Sequence, residues 1–128
     1  MYTVGTMNTG GKVWTDRDYT FRELPSEVEG GVLFSGPHRI PSGSVLTLNG
    51  GQDGTMYALL TKGRDGTYKN TLANNGWTNT GLKACWEQQC LEMEVYSISS
   101  KFQELPVSEG GDTVVVFGFV ATTHPGKI

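Results

Sequence analysis

The sequence predicts an all-β protein, a single-domain antiparallel β-sandwich of short strands, with a β-barrel as the alternative closure of the same strands. Three observations carry this: apolar and polar residues alternate with period 2 in several runs, glycine-containing turn pairs punctuate them, and no segment sustains the 3.6-residue period of a helix. At 128 residues the chain has the size of one domain, enough to bury roughly two-thirds of the surface of its unfolded form. Residues 1–128 therefore read as one unit without an interior linker, residues 1–11 being set aside as a flexible amino-terminal segment and 122–128 as a flexible carboxy-terminal tail. Hydrophobic residues make up 37%, charged residues 18%, and glycine occupies 18 positions, a balance suited to a turn-rich β-protein rather than a helical bundle.

Along the chain, Tyr19 and Phe21 share one face of a short strand that must end by Pro25. Met56, Ala58 and Leu60 alternate with Thr55, Tyr57, Leu59 and Thr61 in a run buried on both sides. In LEMEVYSI, Leu91, Met93 and Val95 point one way and Glu92 and Glu94 the other, so that strand has one wet face. Val114 to Val120 (VVVFGFV) is apolar on both faces and reads as a central strand, with Gly118 marking a close approach or a bulge. Leu82 to Glu94 has some helical look but also strand alternation, and a single turn near Trp86 to Gln89 is the extent of helix expected. Asn49-Gly50, Asp53-Gly54, Asp65-Gly66 and Asn75-Gly76 suit tight hairpin loops, since both residue types tolerate positive φ. One connection recurs: Phe21 to Pro25 (FRELP) precedes Gly30-Gly31 and VLF, and Phe102 to Pro106 (FQELP) precedes Gly110-Gly111 and TVVVF. It reads as one solution to a strand connection used twice, or as a pseudo-symmetric pair of sheet halves.

A formal charge of −3 and a pI near 5.3 lack the positive field that nucleic acids or anionic membranes attract. No apolar run reaches 18 residues, and MYTVGTMNTGGK has neither the basic start nor the apolar stretch of a secretory signal. A chain complete as given would then be cytosolic, its compartment being otherwise unknown; no Asn-x-Ser/Thr acceptor is present either.

Residues able to do chemistry are scarce. The two cysteines, Cys85 and Cys90 in ACWEQQC, are separated by four residues rather than the two of a redox or zinc-knuckle pair. They fit ordinary unpaired thiols, or a disulfide if a tight loop brings their Cα atoms within about 7 Å. The two histidines, His38 and His124, stand apart in loop-like contexts, and nothing places either beside a thiolate. No GxSxG elbow is present and no spacing singles out a pair of carboxylates, so the chain is read as no enzyme; a small hydrolase or thiol enzyme would need a constellation it does not display. Asp16 and Asp18 in TDRDY, and the twin DGT segments at Asp53 and Asp65, fit solvated turns better than calcium loops, which need a glycine at the sixth position and a closing glutamate. No metal and no cofactor is expected.

The segment from Tyr68 to Gln89 differs in composition from the rest. Tyr68, Trp77 and Trp86 supply flat apolar faces, and Asn70, Asn74, Asn75, Asn79, Gln88 and Gln89 supply neutral donors and acceptors. Sugars need that mixture, their ring faces lying on aromatic rings and their hydroxyls bonding to amides. Core tryptophans and turn asparagines are the competing explanation. The candidate ligand-binding residues are Trp77, Asn75, Asn79, Tyr68 and Trp86, with Trp77 the more exposed and Trp86 placed in the core.

Taken in order, YTFRELPSEVEGG, DGTMYALLTKG, NNGWTNTG, LEMEVYSIS and VVVFGF resemble the non-catalytic β-sandwich modules attached to extracellular carbohydrate-active or surface proteins. The resemblance spans roughly Tyr19 to Phe119 and implies a domain without catalysis, of a kind whose ligand is often unassigned. The expected function is a non-catalytic binding module for a neutral carbohydrate. A structural or protein–protein interaction domain is the alternative, in which an edge strand or an apolar patch meets another chain. A glycan or a protein is thus the expected partner, with the oligomeric state open.

Overall fold

The computed structural model describes residues 3–36, 43, 45–63, 68–106 and 115–122. Among these the chain forms, in order, β1 (Thr3–Thr6), β2 (Phe21–Glu23), β3 (Val32–Ser35), β4 (Val45–Asn49), β5 (Gly54–Thr61), α1 (Tyr68–Asn74), β6 (Thr78–Trp86), β7 (Leu91–Ser99), β8 (Phe102–Pro106) and β9 (Val115–Ala121). All pairings between these strands are antiparallel. Seven strands make a curled sheet in the order β1-β3-β9-β5-β7-β6-β2, and β4 and β8 make a two-stranded ribbon packed on it. The fold is the expected antiparallel β type with one short helix added.

The strands at the centre of the large sheet are apolar on both faces because both are covered. On one face Met56, Ala58 and Leu60 of β5 and Val115, Phe117 and Phe119 of β9 meet Leu46, Leu48 and Leu105 of the ribbon, with Tyr68 and Leu72 of α1. On the other, Leu59, Val116, Met93 and Val95 meet Met7, Val13, Trp14, Phe21 and Val28. β9 lies between β3 and β5, so the VVVFGF run is interior as its composition predicts, starting at Val115 among the described residues. Gly118 is a close approach: a Cβ there would meet the Met7 sulfur and lie 3.1 Å from the Val32 carbonyl oxygen. β7 has its wet face at Glu92 and Glu94, while Met93 and Val95 are fully buried; further along, Tyr96 turns to the opposite core.

The amino-terminal residues join the two edges of the sheet. β1 pairs with β3 at one edge; then Gly10 donates to the Phe21 carbonyl at 2.8 Å and Phe21 to the Gly11 carbonyl at 2.9 Å, at the other. The sheet curls because one short stretch of chain is bonded at both of its ends. Residues 3–11, expected to be a loose segment, therefore carry a strand and the fully buried Met7. Thr122 donates to the Asp53 carbonyl at 2.9 Å; the rest of the expected tail, 123–128, lies outside the described residues.

Three local expectations are corrected. Leu82 to Glu94 is a strand hairpin, with β6 and β7 joined by the turn Glu87 to Cys90. The helix lies earlier, at α1, whose seven residues are too few to display a helical period, only Tyr68 and Leu72 being buried one turn apart. Asn75-Gly76 is accordingly no hairpin turn but the end of α1. Trp77 donates to the Leu72 carbonyl at 3.0 Å and Gly76 to that of Ala73 at 3.1 Å, the paired bonds of a helix stop whose glycine, at φ +91°, is left-handed. Asn49-Gly50 begins the link from ribbon to sheet, since β4 pairs with β8 rather than β5. Asp65-Gly66 lies outside the described residues. The recurring FRELP and FQELP strands fall in different sheets, β2 on β6 and β8 on β4.

Candidate functional site

The five residues expected to bind a ligand do not converge. Tyr68 and Trp77 sit in the core beneath the ribbon and Trp86 in the core on the opposite face, exposed by 0%, 4% and 2%. Their rings meet other rings: Phe117 is 6.5 Å from Tyr68 and 6.1 Å from Trp77, centroid to centroid. Trp77, expected to be the exposed member, is buried because it follows the glycine that ends α1 and packs with Leu72. Its indole N–H donates to the Gln103 side-chain oxygen at 3.3 Å, and that of Trp86 to the Thr61 hydroxyl at 2.9 Å.

Asn75 and Asn79 are exposed, yet each serves its own backbone. Asn75 Nδ2 donates to the Thr71 carbonyl at 2.7 Å, inside the last turn of α1. Asn79 Oδ1 accepts from the Gly81 amide at 2.9 Å, where β6 bulges between Asn79 and Lys83 and Gly81 takes φ +80°. The aromatic-amide composition that suggested a sugar site is thus largely spent on core packing and turn closure.

A second grouping of aromatic and polar residues lies elsewhere. An open cleft of about 430 Å³ is lined by Asp18, Tyr19, Thr20, Glu87, Gln88 and Gln89. One wall is the loop before β2, held by the Val13 amide donating to the Tyr19 carbonyl at 3.0 Å and by a bridge between Lys12 and Thr20. The other is the β6–β7 turn, and Glu87 N–H donates to the Thr20 carbonyl at 2.9 Å, joining the two walls. Tyr19 is half-buried and leans on Trp86, ring centroids 4.8 Å apart, while Trp86 meets Trp14 edge to face at 4.9 Å. Trp14, Trp86 and Tyr19 thus run from the core to the lining of the cleft.

The turn wall is fastened covalently. Cys85 and Cys90 form a disulfide with Cα atoms 4.8 Å apart, the alternative that their spacing left open, rather than ordinary thiols. Glu87 and Cys90 take left-handed backbone angles, φ 68° and 53°, a conformation that side chains disfavour. The cross-link and the Cys90 to Glu87 backbone bond of 2.9 Å hold the turn in it. Glu23 lies beside the sulfurs, the three potential donor atoms within 4.8 Å of one another. Joined sulfurs offer no thiolate, the form in which cysteine ligates zinc or attacks a carbonyl.

Asp18 and Glu87 give the cleft two carboxylates. Lys12 Nζ lies 3.9 Å from Asp18 Oδ1, and Asp16, the other half of the suggested calcium pair, meets Arg17 at 3.4 Å. His38 and His124 lie outside the described residues. A second, smaller cleft of about 290 Å³, between Asp53, Gly54, Ser99, Ser100, Lys101 and Thr122, has no aromatic ring in its lining among the described residues.

Gln88 and Gln89 belonged to the sugar-like segment read from the sequence; Tyr19 and Thr20 did not. The ACWEQQC spacing could have drawn attention to the turn, since a bridge across four residues forces a tight loop.

Neither a family model nor a curated protein matches the sequence. Among solved structures, a β-glucuronidase from glycoside hydrolase family 2 contains a portion similar to this chain, with a TM-score of 0.70 at 14% sequence identity. The match covers 96% of this chain and 14% of the enzyme chain. At that identity the likeness is one of fold, and it makes this chain similar to a domain-sized part of a carbohydrate-active enzyme.

Proposed function

We propose that this chain is a non-catalytic carbohydrate-binding module whose site is the cleft between residues 18–20 and 87–89. The observation that carries this is the lining of that cleft, where the half-buried Tyr19 meets the polar residues Thr20, Gln88 and Gln89. A pyranose is recognised by such a set, its apolar face laid on the ring and its hydroxyls bonded to amides. Neutral sugars are held by these contacts alone. The likeness of fold to a portion of a β-glucuronidase supports the assignment at the level of architecture, and a volume of about 430 Å³ suits one or two sugar units. The disulfide favours residence in an oxidising compartment, in contrast to the cytosolic location expected from the amino terminus.

The test is a glycan array probed with wild-type protein and with a Gln88→Ala/Gln89→Ala double variant. The double variant should fold normally, because both residues are exposed, and should lose at least about tenfold in affinity if two amide–hydroxyl bonds of about 1 kcal/mol each are removed. Equal binding by both proteins would count against the cleft.

A second function, protein–protein interaction, is favoured by the outer face of the ribbon, where Val45 and Phe102 are 64% and 46% exposed. Sedimentation showing a self-associated species, with no signal on the array, would select it.

A further inference from the structure

The cleft carries more than the groups a neutral sugar requires, and the identity of the sugar can be narrowed if the carbohydrate-binding function proposed above holds. Each wall contributes one acidic residue, Asp18 from the loop and Glu87 from the turn, and no lysine or arginine lines the cleft among the described residues. Lys12 is the nearby counter-charge, but it stands outside the lining at 3.9 Å from a fully exposed Asp18 side chain and also donates to the Thr15 carbonyl at 3.5 Å. An ion pair so open to water holds its partners weakly and exchanges readily for another cation.

We propose that the cleft selects an amino sugar: a pyranose unit bearing a protonated primary amine, its ring face on Tyr19 and its ammonium group between Asp18 and Glu87. The carboxamides of Gln88 and Gln89 take the neighbouring hydroxyls. N-acetylation removes the charge the two carboxylates attract, and a uronic acid brings a like charge. At separations of several ångströms in water each such charge pair changes affinity by a few-fold, so the discrimination is moderate and sensitive to salt.

The experiment is calorimetric titration of the 128-residue chain with four oligosaccharides of equal length, built from glucosamine, N-acetylglucosamine, glucose and glucuronic acid. It is run at about pH 6, where a primary amine carries its proton. The glucosamine oligomer should bind at least about fivefold more tightly than the N-acetylated and glucose oligomers, and the glucuronic acid oligomer most weakly. Asp18→Asn/Glu87→Gln should bring the four affinities together, Lys12→Ala should widen the gap, and about 0.3 M salt should narrow it. Equal affinity for the aminated and acetylated oligomers, or a gap that survives the double variant, would overturn the amino-sugar assignment while leaving the cleft as a sugar site. Binding of none of the four would remove both.

Discussion

Glu92 is held between two ammonium groups, its Oε2 atom 2.8 Å from Lys83 Nζ and 3.8 Å from Lys62 Nζ. The hydrogen bond from Lys83, aided by the charges of Lys62 and Lys83, holds its carboxyl below the ordinary glutamate value, and the same bond raises Lys83. Since the folded pKa of Glu92 lies below the unfolded one, its contribution to stability is present above the unfolded value of about 4.3 and is lost as the pH falls through the folded value. For Lys83 the sign reverses: its share is present below an unfolded value of about 10.4 and is lost as the pH rises through the folded one. All three groups are exposed and the effect is small. In urea unfolding across acid pH, the gap between wild type and Glu92→Gln should close as the pH drops; a gap constant into strong acid would contradict the pairing. Gly54 illustrates what a residue's neighbours decide. Its pairing with Asp53 suggested a turn glycine, but a Cβ there would strike the Phe119 ring and the Val120 carbonyl oxygen. Backbone cannot retreat as a side chain can, so Gly54→Ala should cost about 1–3 kcal/mol in denaturant unfolding, and an unchanged midpoint would show the contact is not tight. Gly118 was legible from the sequence as a close approach because it interrupts an apolar strand; Gly54 was not, because its partner is an aromatic ring 65 positions away in the chain.

At the scale of elements, what the sequence disclosed depended on length. β5, β7 and β9 have seven to nine residues and show their faces by alternation. α1 has seven, two turns at most, and its only apolar pair, Tyr68 and Leu72, is equally compatible with a loop. Its capping glycine was visible, but an Asn-Gly pair marks a hairpin as readily as a helix end until the chain before it is known. The asparagines of the sugar-like segment could not be sorted by sequence, because bonding to a turn and bonding to a ligand use the same amide. The β6–β7 turn carries the sharpest consequence at this scale. Free-thiol titration of the denatured, unreduced protein should find no reactive group, whereas two would contradict the Cys85–Cys90 bridge. Replacing both cysteines with serine should cost about 2 kcal/mol, the chain-entropy value for so short a loop, and should weaken ligand binding because the turn wall is released.

Over the whole molecule, the sheet wraps one core around the amino-terminal segment and lays the other beneath the ribbon, so every large aromatic of the expected sugar site is drawn inward. Alternation along each strand made the β-architecture legible; the curl was not, since it depends on residues 10–13 pairing with residues 19–21 at the edge opposite β1. The cleft lies at that edge: residues 18–20 lie beside residues 87–89 because β2 pairs with β6, Phe21 opposite Trp86. The ligand binding proposed for the cleft would depend on that juxtaposition, which amide chemical-shift mapping with a glucosamine oligosaccharide reads residue by residue. Shifts should be concentrated at Asp18, Tyr19, Thr20, Glu87, Gln88 and Gln89, moving together as one saturable site. Saturable shifts centred elsewhere, on the outer face of the ribbon or around Asn75 and Asn79, would contradict a site at the β2–β6 edge of the sheet.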